Sequence, residues 1–278
     1  MNQHFALLGH PISHSISPFI HRRLFEIAKI PADYVLLDVC KPDFLSAIPT
    51  LSKLNGYNIT IPYKQAIIPF VGQLCGQAKI YSCINTVKNS GGASFGYNTD
   101  APGFLQALRF ENLPLAGDVT ILGCGGVARI FCFEAVFSGC NVTLAVRAQS
   151  LDRAKALANE VERVTGSPVA VTLIDALPEN TDILINATPV GMFPHVYESP
   201  FAEASLAHCR AVFDAVYNPH ETLLIKMAKS NGLPAISGLS MLIFQAVFAQ
   251  KIWNDVDFSD GDISQLIADS GEFLKRFG

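Results

Sequence analysis

Short β-branched apolar runs alternate along this chain with stretches whose apolar positions recur at helical spacing. The runs at 5–9, 33–39, 56–60, 82–87, 118–123, 141–146, 169–174, 182–187 and 211–216 read as strands, with helical patterns in most of the gaps. That alternation predicts α/β units with parallel strands. One helix start is explicit. Ser17 before Pro18 reads as a capping serine with proline at the first helical position, and the helical spacing runs from 17 to 30, ahead of Pro31. The stretch GHPISHSISP, residues 9–18, is then a polar loop between a first strand and a first helix. Open α/β sheets bind ligands in such crevices, at the carboxyl ends of strands.

Composition narrows the class without changing the architecture. A chain of 278 residues makes one large domain or two ordinary ones, and 50% hydrophobic against 16% charged residues leaves a sizeable core. The net charge of −4 and the lack of a basic stripe argue against a nucleic-acid partner. The greasiest segments, 128–137 and 239–250, are short for a membrane span and are interrupted by Arg129, Glu134 and Gln245. No basic region followed by an apolar core opens the chain, so a secretory signal is not expected. The seven cysteines show neither C-x-x-C nor metal-ligand spacing, and Cys124, Cys132 and Cys140 read as small core residues. These features point to a cytoplasmic protein of a reducing compartment, without metal or membrane partner. They leave the oligomeric state open.

Residues 118–148 carry the first chemistry. An apolar strand ends at Gly123, the turn G-x-G-G-x-A follows, and an apolar helix begins near Val127, with a second strand at 141–146. Glycines there let the backbone approach a pyrophosphate whose charge sits on the helix N-terminus. Three glycines alone also make ordinary turns; the flanking strand, helix and strand favour the nucleotide reading. The tip of the second strand lacks the acid that bonds the ribose hydroxyl in an NAD site and carries Arg147, with Arg153 beyond. An arginine fork suits a 2′-phosphate, although both arginines also read as solvated surface residues. The missing acid favours NADP and leaves NAD open.

Two further segments belong with the opening loop. Lys64 falls just past a strand and Pro62, where a helix can start, and Asp100 falls at the end of another strand, ahead of a helical pattern. Singly, Lys64 reads as a solvated first-turn lysine and Asp100 as a helix N-cap. Together, beside a dinucleotide site, they read as an acid–base pair of the kind that moves the hydroxyl proton in hydride transfer. His10 and His14 are four apart but share a loop broken by Pro11, which argues against a metal site and for His14 as part of the loop's structure.

Taken in order, these segments resemble the shikimate dehydrogenase family over nearly the whole chain. GHPISHSISP (9–18), NITIPYK (58–64), GYNTD (96–100), GCGGVAR (123–129), NATPVGM (186–192), DAVYNP (214–219) and GLSMLIFQA (238–246) stand in register with the family's motifs. The resemblance implies a substrate carboxylate on Ser15 and Ser17, a catalytic Lys64 and Asp100, and Asn58, Thr60, Asn85, Tyr217 and Gln245 around the substrate ring. It implies a pyrophosphate on Gly123, Gly125, Gly126, Val127 and Ala128, Arg147 at the adenosine phosphate, and a nicotinamide beside Ala215 and Gly238. Asn186, Thr188 and Pro189 would shape the wall below the cofactor. For Asn58, backbone capping at a strand end stays open, and Gln245, in an apolar helix, needs a polar partner of some kind.

The implied fold is α/β in two domains, with an active cleft between them. A substrate domain spans 1–102 with returning helices at 239–278, and a Rossmann domain spans 103–238. The implied reaction is the NADP-dependent reversible reduction of 3-dehydroshikimate to shikimate, in aromatic amino-acid biosynthesis. The chain departs from the family pattern at several places. Val146 and Ala148 flank Arg147 where polar residues are usual, Arg153 is displaced, Ser82–Cys83 replaces Gly-Ala, and Arg22 follows His21 in place of asparagine. A quinate/shikimate dehydrogenase with relaxed or NAD cofactor use therefore stays open, as does a non-catalytic nucleotide-sensing relative.

Overall fold

The computed structural model describes residues 2–276, apart from the side chains of 203–205. In chain order its elements begin β1 (Gln3–Gly9), α1 (Ser17–Ala28), β2 (Ala32–Asp38), α2 (Phe44–Leu51), β3 (Gly56–Ile59), β4 (Gln73–Leu74), α3 (Ala78–Tyr81), β5 (Thr86–Ser90), β6 (Ala93–Tyr97) and α4 (Asp100–Phe110). They continue with β7 (Asp118–Leu122), α5 (Gly126–Phe137), β8 (Asn141–Val146), α6 (Leu151–Thr165), β9 (Val169–Leu173), β10 (Thr181–Asn186), β11 (Cys209–Asp214), α7 (Leu223–Ser230), β12 (Ala235–Ser237), α8 (Gly238–Asn254) and α9 (Asp260–Leu274). The chain divides into two compact units, Met1–Gly103 with Ile243–Ser270, and Phe104–Leu242 with Gly271–Gly278.

The first unit holds a mixed sheet of order β2-β1-β3-β5-β6-β4. β1 runs parallel to β2 and β3, whereas β5 is antiparallel to both β3 and β6. Two reversals restore direction, so β6 points the same way as β1 and β3. The ends of β1, β3 and β6 and the start of β5 therefore share one edge. At that edge β1 and β3 approach so closely that a Cβ on Gly9 would lie 2.4 Å from Thr60 Cγ2. One face of α1 buries Ile20, His21, Leu24 and Phe25, and the helix stops where Lys29 turns to φ 55. α8 locks onto the sheet through Trp253, whose Nε1 donates to Val87 O at 2.9 Å. A Cβ on Gly56 would lie 2.4 Å from that indole nitrogen.

The second unit is an all-parallel sheet of order β12-β11-β10-β7-β8-β9. Counted from β7, this is the doubly wound dinucleotide-binding order, whose switch point falls between its first and fourth strands, here β7 and β10. Buried on both faces, such strands are near-continuous apolar runs; in β7 and β10, Val119, Ile121, Leu122, Ile183, Leu184 and Ile185 are buried. α5 is buried from Ala128 through Val136. Its Arg129 is held by the Glu160 carboxylate of α6 and lies over the Phe133 ring.

Three local expectations change. Ser17 is the first helical residue and not the cap: Ile16 occupies that place, and no side chain among the described residues caps the helix. Ser15 turns back to accept the Ser17 N–H instead, at 3.3 Å. The helix expected after Pro62 does not form; a turn over 64–67 leads into a short 3-10 segment, Ile68–Phe70. The apolar run 82–87 is strand only from Thr86 onward, its first part being a loop. The strand read ahead of Asp100 is β6, and Gly91 and Gly92, at φ 59 and 78, supply the two-residue turn that joins it to β5.

Candidate functional site

The shared edge of the first sheet gathers charged and amide side chains. Lys64, in the turn after β3, donates from Nζ to Asp100 Oδ2 at 2.7 Å. Asp100 opens α4, but Asn98 does the capping, its Oδ1 accepting the N–H groups of Asp100 and Ala101 at 3.1 and 3.2 Å. The carboxylate is thereby released from the capping duty expected of it. Its other oxygen, Oδ1, accepts from Asn85 Nδ2 at 2.9 Å. Asn85 Oδ1 in turn accepts the Thr99 N–H at 2.7 Å, and Asn85 Nδ2 lies 3.4 Å from Gln245 Oε1. Lys64, Asn85, Asp100 and Gln245 thus form one cluster. Burial works against the charge on Lys64, but the Asp100 carboxylate outweighs it and holds the ammonium above the ordinary lysine value. The resting state is an ammonium–carboxylate pair with a quarter of the lysine still exposed, at 23%.

Asn58, read as a ring contact, is 4% exposed. Its Oδ1 accepts from Tyr34 OH at 2.8 Å, and its Nδ2 donates to Asn85 O and Thr86 Oγ1 at 3.1 and 2.9 Å. It supports the cluster from behind. Thr60 is half-buried beside Gly9, its N–H on Leu8 O.

The serine loop leaves β1 on the same edge. Ser15 Oγ lies 3.1 Å from Ser17 Oγ, so the two hydroxyls point to one place at the start of α1. Asp38 pins the loop, accepting from Ile12 N–H at 3.2 Å and pairing with His10 Nδ1 at 2.6 Å. That imidazole contact holds the Asp38 carboxyl below its usual value. His10 is thus committed to Asp38, and His14 is exposed.

On the second sheet the predicted cofactor residues all follow carboxyl ends of strands. Gly123, at φ 104, packs against Thr188 and Ala187 at the end of β10. Around Gly125 and Gly126 no heavy atom of the described residues comes within 4 Å of an added Cβ. The first turn of α5, at Val127 and Ala128, has no side-chain cap among the described residues. Bare N–H groups, open space and the helix dipole fit a pyrophosphate. Arg147 is exposed at the end of β8, and Arg153 is exposed on α6. Gly238 permits a backbone crossing, since its Cβ would sit 2.2 Å from Ala215 O. Tyr217 is half-buried on the loop after β11.

Behind that loop stands a residue whose role the sequence did not announce. Asp214 is fully buried and accepts from Asn186 Nδ2, Val216 N–H and Thr222 Oγ1 at 2.8, 3.0 and 2.6 Å. Burial pushes its carboxyl up to about 6. Asn186 Oδ1 accepts from Thr188 N–H and Oγ1 at 3.0 and 2.7 Å, so one network ties the loops after β10 and β11. The available signal was an Asp and an Asn at the ends of apolar strands, where each needs partners.

Comparison with known proteins shows the family. A family model, the shikimate dehydrogenase substrate binding domain, matches residues 7–87. The shikimate dehydrogenase (NADP(+)) of Caldanaerobacter subterraneus subsp. tengcongensis is 35% identical over 263 residues, 93% of this chain and 93% of the relative. The chain belongs to the shikimate dehydrogenase family. Among solved members, a shikimate dehydrogenase in complex with NADP+ superposes with a TM-score of 0.90 at 33% identity, over 97% of this chain and 96% of that one. The shikimate 5-dehydrogenase of Thermus thermophilus, solved with NADP(H) and shikimate, gives 0.86 at 30% identity, over 96% and 99%. The backbone of Ser82, where the sequence reading expected a departure from the family, lies at φ 46. The left-handed region is where a glycine carries no Cβ penalty.

Proposed function

We propose that this chain catalyses the reversible NADP-linked reduction of 3-dehydroshikimate to shikimate, with Lys64 and Asp100 as the proton-transfer pair. The observation that carries the reading is the Lys64–Asp100 ion pair, partly exposed on the sheet edge that also bears the two serine hydroxyls. Reduction of a ketone adds a hydride to carbon and a proton to oxygen. When bound, the nicotinamide nucleotide supplies the hydride. Lys64 supplies the proton: its raised pKa keeps it an ammonium at neutral pH, and Asp100 keeps its Nζ in place. In the reverse direction, the same pair accepts the proton from the alcohol.

Ser15 and Ser17 anchor the substrate carboxylate by donating to it, at a helix start where an anion is favoured. Asn85, Gln245, Thr60 and Tyr217 serve the ring hydroxyls. Gly123, Gly125, Gly126, Val127 and Ala128 hold the pyrophosphate, Arg147 the 2′-phosphate, and Ala215 and Gly238 flank the nicotinamide.

The changes at Ser82–Cys83 and around Arg147 favour testing quinate and NAD+ beside the main reading. One two-by-two assay does so: shikimate or quinate against NADP+ or NAD+, followed at the nicotinamide absorbance. Shikimate with NADP+ is expected to give the highest kcat/KM. Higher efficiency with quinate reassigns the substrate. No turnover in any pairing makes the chain a nucleotide-binding relative without chemistry.

A further inference from the structure

We propose that Tyr34 is a positioning residue for the reaction, acting on Asp100 through a buried relay of hydrogen bonds from Tyr34 to Asn58, Thr86, Asn85 and Asp100. This rests on the reading of Asp100 as one of the proton-transfer pair. The relay begins on β2. Tyr34 OH donates to Asn58 Oδ1 at 2.8 Å, which fixes which way the Asn58 amide faces. Its Nδ2 then donates across the β3–β5 pair to Thr86 Oγ1 at 2.9 Å, where Asn58 and Thr86 are register partners. Thr86 Oγ1 donates to Asn85 Oδ1 at 3.2 Å, and Asn85 Nδ2 donates to Asp100 Oδ1 at 2.9 Å. Each member is under a tenth exposed, so water is poorly placed to substitute for a missing link.

The upstream end is itself fixed. His21 stacks on Tyr34 with ring centroids 4.2 Å apart and planes 7° apart. Asn254 Nδ2 donates to Gln250 Oε1 at 2.8 Å, which orients that amide so that its Nε2 donates to His21 Nδ1 at 3.1 Å. An Nδ1 that accepts leaves the proton on Nε2. Burial pushes this imidazole down to about 3, with the Asn58 side chain opposing, so His21 stays neutral and acts as a plate against the phenol. The geometry reads in one direction. A phenol far from the reacting atoms sets an amide, the amide sets a hydroxyl, and the hydroxyl joins the Thr99 N–H in setting the asparagine that holds Asp100 against Lys64.

The test is steady-state kinetics of Tyr34→Phe, which removes one hydroxyl and keeps the ring. Misplacing a reacting group by 1 Å can cost on the order of a hundredfold, and a loosened carboxylate is expected to cost about tenfold in kcat. KM for shikimate is expected to change less than kcat, because the serine loop that anchors the carboxylate is untouched and only the Asn85 ring contact is loosened. Phe25→Leu, which thins the same aromatic cluster without touching the relay, is expected to lower Tm and leave kcat unchanged. In a double-mutant cycle Tyr34→Phe and Thr86→Val, two links of one relay, are expected to be strongly non-additive. Unchanged kcat in Tyr34→Phe, a matching kcat loss in Phe25→Leu, or additive losses in the cycle would each overturn the proposal. Asp100→Asn separates the two levels. Full activity in that variant sinks the reading of Asp100, whereas its loss beside a fully active Tyr34→Phe sinks only the relay.

Discussion

The carboxyl edges of the two sheets are built from different materials. On the first, side chains do the work: Asp100 is held through both oxygens and its own N–H, and Asn85, Thr99, Thr86 and Asn58 are interlocked behind it. On the second, backbone and empty space do it: a Cβ added at Gly125 or Gly126 would meet no heavy atom of the described residues beyond their chain neighbours within 4 Å, and Arg147 is exposed. The difference suits the tasks proposed for the two edges. A proton must pass between atoms held to within tenths of an ångström, which requires satisfied, buried hydrogen bonds. A pyrophosphate is diffuse, and it is recognised by N–H groups and a helix dipole that no substitution of a surface residue removes. Changes on the first edge should therefore strike turnover or substrate affinity, and changes on the second should alter which cofactor is preferred.

The sharpest break is at Lys64. Removing a positioned proton-transfer group typically costs about 10²–10⁴ in rate. Lys64→Ala is expected to cut kcat by about a thousandfold while shikimate affinity changes little, measured by stopped-flow kinetics and by titration. Near-normal turnover would make this lysine a structural partner of Asp100. The pH dependence adds a second check. With its pKa raised above the ordinary lysine value, Lys64 stays protonated well into the alkaline range. The kcat/KM for reduction should then show no downward break from this group below about pH 10.

Next in size is the serine pair. Hydrogen bonds to a charged group are each worth about 1.5–3 kcal/mol. Replacing Ser15 and Ser17 together by alanine is expected to raise KM for shikimate about a hundredfold, allowing for partial compensation by water. NADPH binding, followed by nucleotide fluorescence, should be unchanged. Unaltered shikimate affinity in the double variant would send the carboxylate elsewhere.

How far these edges could be read from the sequence depended on what surrounds each residue. The parallel strands of the second sheet are apolar on both faces, so β7, β8, β10 and β11 stand out as continuous runs. The turn after β7 stands out because three glycines follow such a run. Lys64 and Asp100 are charges at strand ends in a chain poor in charge, hence visible. Tyr34 and Thr86 were not visible, because a single polar residue in a strand looks the same whether it faces water or a buried partner. Only the register that sets Asn58 opposite Thr86 reveals it. The run at 82–87 misled for the opposite reason: Cys83 and Ile84 are buried in a loop, so hydrophobicity reported burial and not strand. Ser17 looked like a cap because serine before proline usually is one, but here its neighbour Ser15 makes the turn.

The second edge is tested at Arg147. Val146 is buried and Ala148 offers no side-chain donor, so the guanidinium is the charged group expected to meet a 2′-phosphate. Arg147→Ala is expected to lower kcat/KM for NADP+ about tenfold and for NAD+ scarcely at all, the range of one solvent-exposed charge-assisted hydrogen bond. Equal losses for the two cofactors would mark Arg147 as an ordinary surface arginine and move phosphate recognition to another residue. A loss in kcat alone would contradict the division of labour between the edges.

The smallest effect sits at a left-handed residue of the first edge. Ser82 closes α3 at φ 46 and ψ 41, in the left-handed region, just before the loop that delivers Asn85. An L-residue there is disfavoured by roughly 1–2 kcal/mol relative to the right-handed region, and glycine escapes that penalty. Glycine also gives the unfolded chain more freedom, which takes back about 0.5–1 kcal/mol. The balance predicts that Ser82→Gly stabilises the protein by about 0.5 kcal/mol, seen as a small rise in the urea midpoint with an unchanged slope. Because Asn85 is held by Thr99 and Asp100 and not by Ser82, kcat and KM should not move. A lower midpoint would mean that the serine side chain makes a stabilising contact worth more than the strain. A shift in kcat would mean that the loop's backbone, and not only its hydrogen bonds, sets the position of the amide.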